Sequence, residues 1–157
     1  MKKHLSYFCA VIAAIFSGCA VNDAVIAQAQ TRIRKNQASC ILIKGGKVVT
    51  QEVGRGLAPL LTVLDRYPEA MKDGIIVDKV IGKAAAAIII CGQAQEVYTE
   101  LICEPGLALL QKHGVKVRYK TCVPQILNRT QSDLCPMEKR VAEIDDPQKA
   151  LEALRKK

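Results

Sequence analysis

Eight consecutive residues, Ala84-Ala85-Ala86-Ala87-Ile88-Ile89-Ile90-Cys91, carry no charged or strongly polar side chain. A helix that is apolar all round has to be covered on most of its faces. The fold is therefore constrained to build layers around this segment. The pattern predicts one helix from Asp78 to Cys91, with Asp78 able to cap it and Gly92 able to end it. On that helix Lys79 and Lys83, four residues apart, share a face. Lysines on the opening turns of a buried helix need a polar destination, either solvent or a pocket.

The elements around it follow from periodicity. Asn22 to Lys35 reads as a helix, with Val25, Ile26, Ala29 and Ile33 at helical spacing. Cys40 to Ile43 reads as a strand, Gly45-Gly46 as a two-residue turn, and Lys47 to Val53 as its antiparallel return. Leu57, Leu60, Leu61 and Leu64 form one face of a helix stopped near Pro68. Downstream, Glu96 to Ile102 is a strand, Pro105 to His113 a helix, and Val115, Val117 and Tyr119 alternate with Lys116, Arg118 and Lys120 as a half-buried strand does. A short fifth strand over Val123 to Leu127, a helix from Ser132 to Ile144, and a last helix capped at Asp146-Pro147 complete the chain. A hairpin followed by strand-helix-strand crossovers predicts an α/β fold: a mixed sheet of four to five strands, with helices on both faces, in a three-layer α/β/α sandwich.

The N-terminus has a different character. Met1-Lys2-Lys3-His4 precedes an apolar run from Leu5 to Phe16, a basic region followed by a hydrophobic one. Ser17-Gly18-Cys19 then resembles a bacterial lipobox. Residues 1–19 are accordingly expected to be a lipoprotein-type signal peptide, with Cys19 acylated and anchoring the chain in the cell envelope; a cytoplasmic chain with an N-terminal extension is the alternative. Residues 20–36 are expected to be the N-terminal helix and 37–157 the main domain.

Charge and cysteine content limit the partners. Loss of Lys2 and Lys3 with a leader takes the net charge from +8 to +6, and the excess is scattered rather than blocked. For most of these residues it is ordinary solubility charge, and it also suits a modest affinity for anions or an anionic membrane surface. Trp is absent and only Tyr67, Tyr98 and Tyr119 lie beyond the leader, so stacked-ring recognition of single strands has little support. No duplex-binding motif is present, and no specific nucleic acid is expected. Beyond Cys9 and Cys19, five cysteines remain, with no C-x-x-C among them. That scatter fits a reducing compartment better than a disulfide scaffold. It conflicts with export unless the setting is anaerobic.

The densest polar run is Asn128-Arg129-Thr130-Gln131-Ser132-Asp133, followed by Leu134-Cys135-Pro136-Met137-Glu138. It lies between a strand end and a helix start, where open α/β sheets bind ligands. Cys135 at a helix N-terminus is favoured as a thiolate, Glu138 can reach back to cap the same helix, and Arg129 can grip an anion in a bidentate manner. A capped helix with a buried cysteine and a surface arginine accounts for the same residues without a ligand. Glu100 and Glu104 flank Cys103 at another strand end, where a carboxylate can serve as a base or simply face solvent. His113 is the one histidine beyond the leader, and no catalytic triad motif includes it.

Several of these segments together resemble a known family. Gly54-Arg55-Gly56-Leu57-Ala58-Pro59-Leu60-Leu61, Asp78-Lys79-Val80-Ile81-Gly82-Lys83-Ala84-Ala85-Ala86, Val97-Tyr98, Val123-Pro124, Asn128-Arg129-Thr130 and Cys135-Pro136-Met137-Glu138 are similar, in order and spacing, to a small bacterial domain of unknown function with a cytidine deaminase-like fold. The resemblance spans about residues 22 to 157. It does not carry the deaminase chemistry with it. A zinc deaminase needs a His or Cys with a Glu two residues on, and a Pro-Cys-x-x-Cys on the next helix. Gly82-Lys83-Ala84-Ala85 and Cys103-Glu104-Pro105-Gly106 stand in those places. One thiol cannot hold a three-ligand zinc, so neither a metal nor another cofactor is expected.

The resemblance implies a retained cleft that binds a small anionic or nucleotide-like ligand. Its expected lining is Asp78, Lys79, Lys83, Asn128, Arg129, Thr130 and Glu138, with the basic residues on the anion and Asn128 and Thr130 on a polar edge. Two other functions fit the same sequence: an enzyme or redox protein with Cys135 as its reactive thiol, and a structural or interaction module.

Overall fold

The computed structural model describes residues 22–156. The expected leader and the acylated Cys19 lie outside the described residues. Five strands form one sheet: β1 (Cys40–Lys44), β2 (Lys47–Glu52), β3 (Ile75–Ile81), β4 (Glu96–Cys103) and β5 (Lys116–Val123), in the order β2-β1-β3-β4-β5. β1 pairs antiparallel with β2 and β3, while β3, β4 and β5 run parallel. The helices are α1 (22–34), α2 (Ala58–Arg66), α3 (Pro68–Met71), α4 (Lys83–Cys91), α5 (Glu104–Lys112), α6 (Pro136–Val141) and α7 (Pro147–Arg155). The expected mixed sheet in an α/β/α sandwich is what the chain forms.

Each face of the sheet has its own core. On one face Ile26, Ala29 and Ile33 of α1 pack against Ile41, Ile43, Ile75 and Val77. On the other, Cys40, Leu42 and Ile76 meet the buried residues of α2, α4, α5 and α7. Alternation along β1 and β3 assigns neighbours to opposite cores, as the pleat requires. Residues 84 to 89 of α4 are all buried, because β3, α2, α5, α6 and α7 surround the helix. Full burial of each isoleucine contributes about 1.5–3 kcal/mol, which fixes α4 as the central pillar.

The boundary between β3 and α4 corrects the expected helix from Asp78. Ile75-Ile76-Val77 and Val80-Ile81 are β-branched or apolar residues that fit a pleated surface, and the helix begins only after Gly82. Asp78 is a strand residue, not a cap, and Lys79 and Lys83 share no helix face. The expected strand over Val123–Leu127 is also corrected. β5 ends at Val123, and Leu127 makes only an isolated bridge to Leu134. α6 is shorter than the predicted 132–144 helix, since residues 128–133 fold as a side-chain-bonded turn. The other expected elements match closely, while α3, a single turn that begins at the Pro68 expected to stop a helix, is not among them. Gly45 and Gly46 take φ of 56° and 73°, the positive values of a tight hairpin turn. Asp146 accepts the Lys149 amide at 2.9 Å and caps α7.

The strand ends carry one irregularity. Ile76 and Ile81, five residues apart, belong to the same core, as do Val97 and Ile102 on β4. An odd separation in a regular strand puts residues on opposite faces. β3 and β4 therefore change face together at the level of Asp78–Val80 and Thr99–Leu101, which remain paired across the sheet.

Candidate ligand cleft

A cleft of about 270 Å³ opens where β3 changes face. Asp78, Lys79 and Val80 all line it, three consecutive residues that a regular strand would divide between two faces. Gly54, Gly56 and Leu57 border it on the loop before α2, and Ile126, Cys135, Met137 and Glu138 form the opposite wall. The position is the C-terminal end of a central parallel strand, where open α/β sheets hold ligands.

Asp78 is half-buried and no cation pairs with it among the described residues. Burial pushes its carboxyl up from an ordinary 3.8 to about 7, offset in part by bonds from the Val80 and Lys79 amides and the Cys40 thiol. The Val80 amide donates to Oδ1 at 3.2 Å. Cys40, its register partner on β1, is fully buried. Burial, and then the Asp78 charge, raise the thiol well above the usual range. The Lys79 ammonium turns instead to Asn36 Oδ1 at 2.7 Å, just beyond α1.

Glu138 is buried and makes a different contact from the one expected. It does not cap its own helix, which has no side-chain cap. Its carboxylate accepts the Lys83 amide at 2.8 Å and the Ala84 amide at 3.0 Å, the first two free N–H groups of α4. Gly82 supplies no side-chain cap of its own, so the acid of a distant helix satisfies that positive end. A Cβ on Gly82 would stand 2.3 Å from Glu138 Oε1, and a Cβ on Gly106 would stand 2.9 Å from the Gly82 backbone. The absence of both lets the starts of α4 and α5 and this carboxylate converge. Cys103, the N-cap of α5, accepts the Gly106 amide at 3.4 Å and lies 3.9 Å from Glu138 Oε2. Burial, chiefly, raises its pKa.

The expected constellation divides accordingly. Asp78, Lys79, Cys135 and Glu138 line one cleft. Lys83 is buried and does not border it; its ammonium donates to the Ala142 carbonyl at 2.6 Å and to Asp145 Oδ1 at 3.0 Å. Asn128 and Thr130 are engaged in their own turn. Asn128 Oδ1 accepts from the Thr130 hydroxyl and the Ser132 amide, and Arg129 is exposed. Glu100 pairs with Arg34 and Lys120 on the α1 side of the sheet. Sequence reasoning missed Ser39, Gly54, Leu57, Ile126 and Met137 as lining; the turn signal at Gly54-Arg55-Gly56 was the available hint.

Among the described residues no group of three His, Cys, Asp or Glu side chains is disposed to hold a metal ion. No described helix is long and apolar enough to cross a membrane.

The family model described as TM1506, a domain of unknown function (DUF1893), matches residues 26–157. The crystal structure of a DUF1893 family protein (TM1506) from Thermotoga maritima is similar in fold, with a TM-score of 0.73. It is 25% identical in sequence, over 82% of this chain and 86% of that one. No curated protein matches the chain. With a family match that takes in every strand of the sheet, the chain belongs to the DUF1893 family.

Proposed function

We propose that the cleft binds a small nitrogen-bearing ligand of nucleobase size, held at its floor by the Asp78 carboxyl. One observation carries this reading: a carboxyl with no cationic partner among the described residues faces a cleft whose walls are mostly apolar. A group titrating near 7 can accept from a ring N–H or amine when ionised and donate to a ring nitrogen when protonated. Leu57 and Met137 supply apolar cover for a flat ligand. The anion expected from the sequence has weaker support. Lys83 is tied to Asp145, Arg129 stands outside the cleft, and Glu138 already occupies the amides at the start of α4. The resemblance of the sequence to a cytidine deaminase-like domain points toward a base-sized ligand at this strand end, without the zinc chemistry.

Calorimetric titration with free nucleobases, nucleosides, simple amines and sugar phosphates tests the reading. Binding of a nitrogen heterocycle that is lost in Asp78→Asn supports it. Binding of phosphates alone, unaffected by Asp78→Asn, overturns it.

A thiol reaction is the second reading, favoured by the place of Cys135 on the cleft wall. An alkylation rate for Cys135 no faster than that of a model thiol removes it. For the N-terminus the proposal remains a lipoprotein leader over residues 1–19 with Cys19 as the envelope tether, and mass spectrometry of the mature N-terminus decides it.

A further inference from the structure

Glu138 and Lys83 join the same two parts of the molecule twice. The Glu138 carboxylate on α6 takes the Lys83 and Ala84 amides of α4. The Lys83 ammonium on α4 takes the Ala142 carbonyl just past α6, and Asp145 beyond it. Both residues are buried. Their contacts cross 55 and 59 positions of sequence, bracketing α6 at either end.

The segment so held forms one wall of the cleft. Ile126, Cys135, Met137 and Glu138 all come from it. Much of the rest of the segment is bonded to itself. The Cys135 amide donates to Ile126, the Asn128 amide to Asp133, and Lys139 pairs with Asp133. Residues 127 to 133 are mostly exposed, so little apolar packing holds that stretch to the body. Behind Glu138 lies a second hollow of about 120 Å³, bordered by Lys83, Cys103 and Gln125. Glu138 borders both spaces and divides them.

We propose that Glu138 is a positioning residue: its carboxylate latches the 126–142 segment onto the start of α4 and so sets the shape of, and access to, the Asp78 cleft. The consequence for ligand binding rests on the function proposed above; the latch itself is measurable with no ligand present. A carboxylate suits the task because two amides at a helix start bind it with charge assistance and fixed geometry. A neutral amide in its place would turn one N–H donor toward another.

Cys135 reports the state of the wall. Its alkylation rate is to be read by site-resolved mass spectrometry in the full chain, in Glu138→Gln, in Glu138→Ala and in Lys83→Met. Cys122, which is exposed, serves as reference, and Cys40, which is fully buried, reports global unfolding. Glu138→Gln should speed Cys135 about tenfold, with Cys122 and Cys40 unchanged. Lys83→Met should act in the same direction. In Glu138→Ala, added formate should slow Cys135 again by filling the vacated position, and formamide should not. An unchanged Cys135 rate in Glu138→Gln overturns the latch, as does a rise matched at Cys40. If the latch passes while no heterocycle binds, the ligand reading alone fails.

Discussion

An aspartate set against apolar walls must find a cation or keep its proton. Lys79 is next to Asp78 in sequence, yet its ammonium goes to Asn36, so the carboxyl is left with amides and a thiol. Its pKa of about 7 makes stability depend on pH, with a sign that can be worked out. Below about pH 4 the folded and unfolded chains both hold this proton. Between about 4 and 7 the unfolded chain has released it and the folded chain has not. The unfolded state then binds fewer protons, so stability falls as pH rises through that window. Tenfold in proton affinity is about 1.4 kcal/mol, so the full effect is roughly 4 kcal/mol at most. Asp78→Asn has no proton to lose. Its urea midpoint should gain on the native protein between pH 5 and pH 8, read by paired denaturation curves. A difference constant with pH would remove the protonated carboxyl from the floor of the cleft.

Where helices meet, two glycines make contrasting demands on their neighbours. A Cβ on Gly106 meets the Gly82 carbonyl carbon and oxygen at 2.9 Å, and backbone cannot step aside without moving the start of α4. A Cβ on Gly92 meets the Met71 sulfur at 2.3 Å, but a methionine side chain has rotamers to spare. Gly106→Ala should therefore cost about 3 kcal/mol or more and Gly92→Ala about 1 kcal/mol, measured as shifts in chemical denaturation. Equal costs would mean that α4 and α5 can separate freely. The same scale explains what could be read in advance. α1, the β1–β2 hairpin, α5 and α7 announce themselves through local periodicity, paired glycines or a cap, all of which are short-range signals. β3 does not, because Asp78-Lys79 interrupts Ile75-Ile76-Val77 and Val80-Ile81 and so looks like a capped helix start ahead of four alanines, and short apolar runs fit a strand or a buried helix equally. That misplacement carried Lys79 and Lys83 onto a common face and so into a common site. Asp78, Cys135 and Glu138 nonetheless come together along one cleft, because strand ends and helix starts converge there whatever the exact boundary. The long-range bond from Glu138 to α4 had no local signature at all.

Across the whole molecule the two faces of the sheet are covered unequally. Six helices contribute to the core on the α4 side, whereas α1 is the one helix packed on Ile41, Ile43, Ile75 and Val77 among the described residues. A single helix of about four turns is marginal in water, so docking of its apolar stripe must supply most of its stability. Ile33, 1% exposed, sits in the middle of that interface. Three residues further on, Asn36 holds Lys79 at the rim of the cleft. Ile33→Asp would bury an unpaired charge there and should cost about 3 kcal/mol or more. Because α1 has its own core, the loss should be local at first. Amide hydrogen exchange should quicken throughout α1 before it changes in α4, whose residues are packed on the opposite face. The cleft should respond as well, since a loosened α1 releases Lys79 toward Asp78 and lowers the pKa of that carboxyl by supplying the cation it lacks. The pH dependence assigned to Asp78 would then shrink in Ile33→Asp, although no residue of the cleft has been changed. If α1 and α4 instead lose protection together, the two cores unfold as one unit, and the helix is a cooperative part of the sandwich rather than a separable cover.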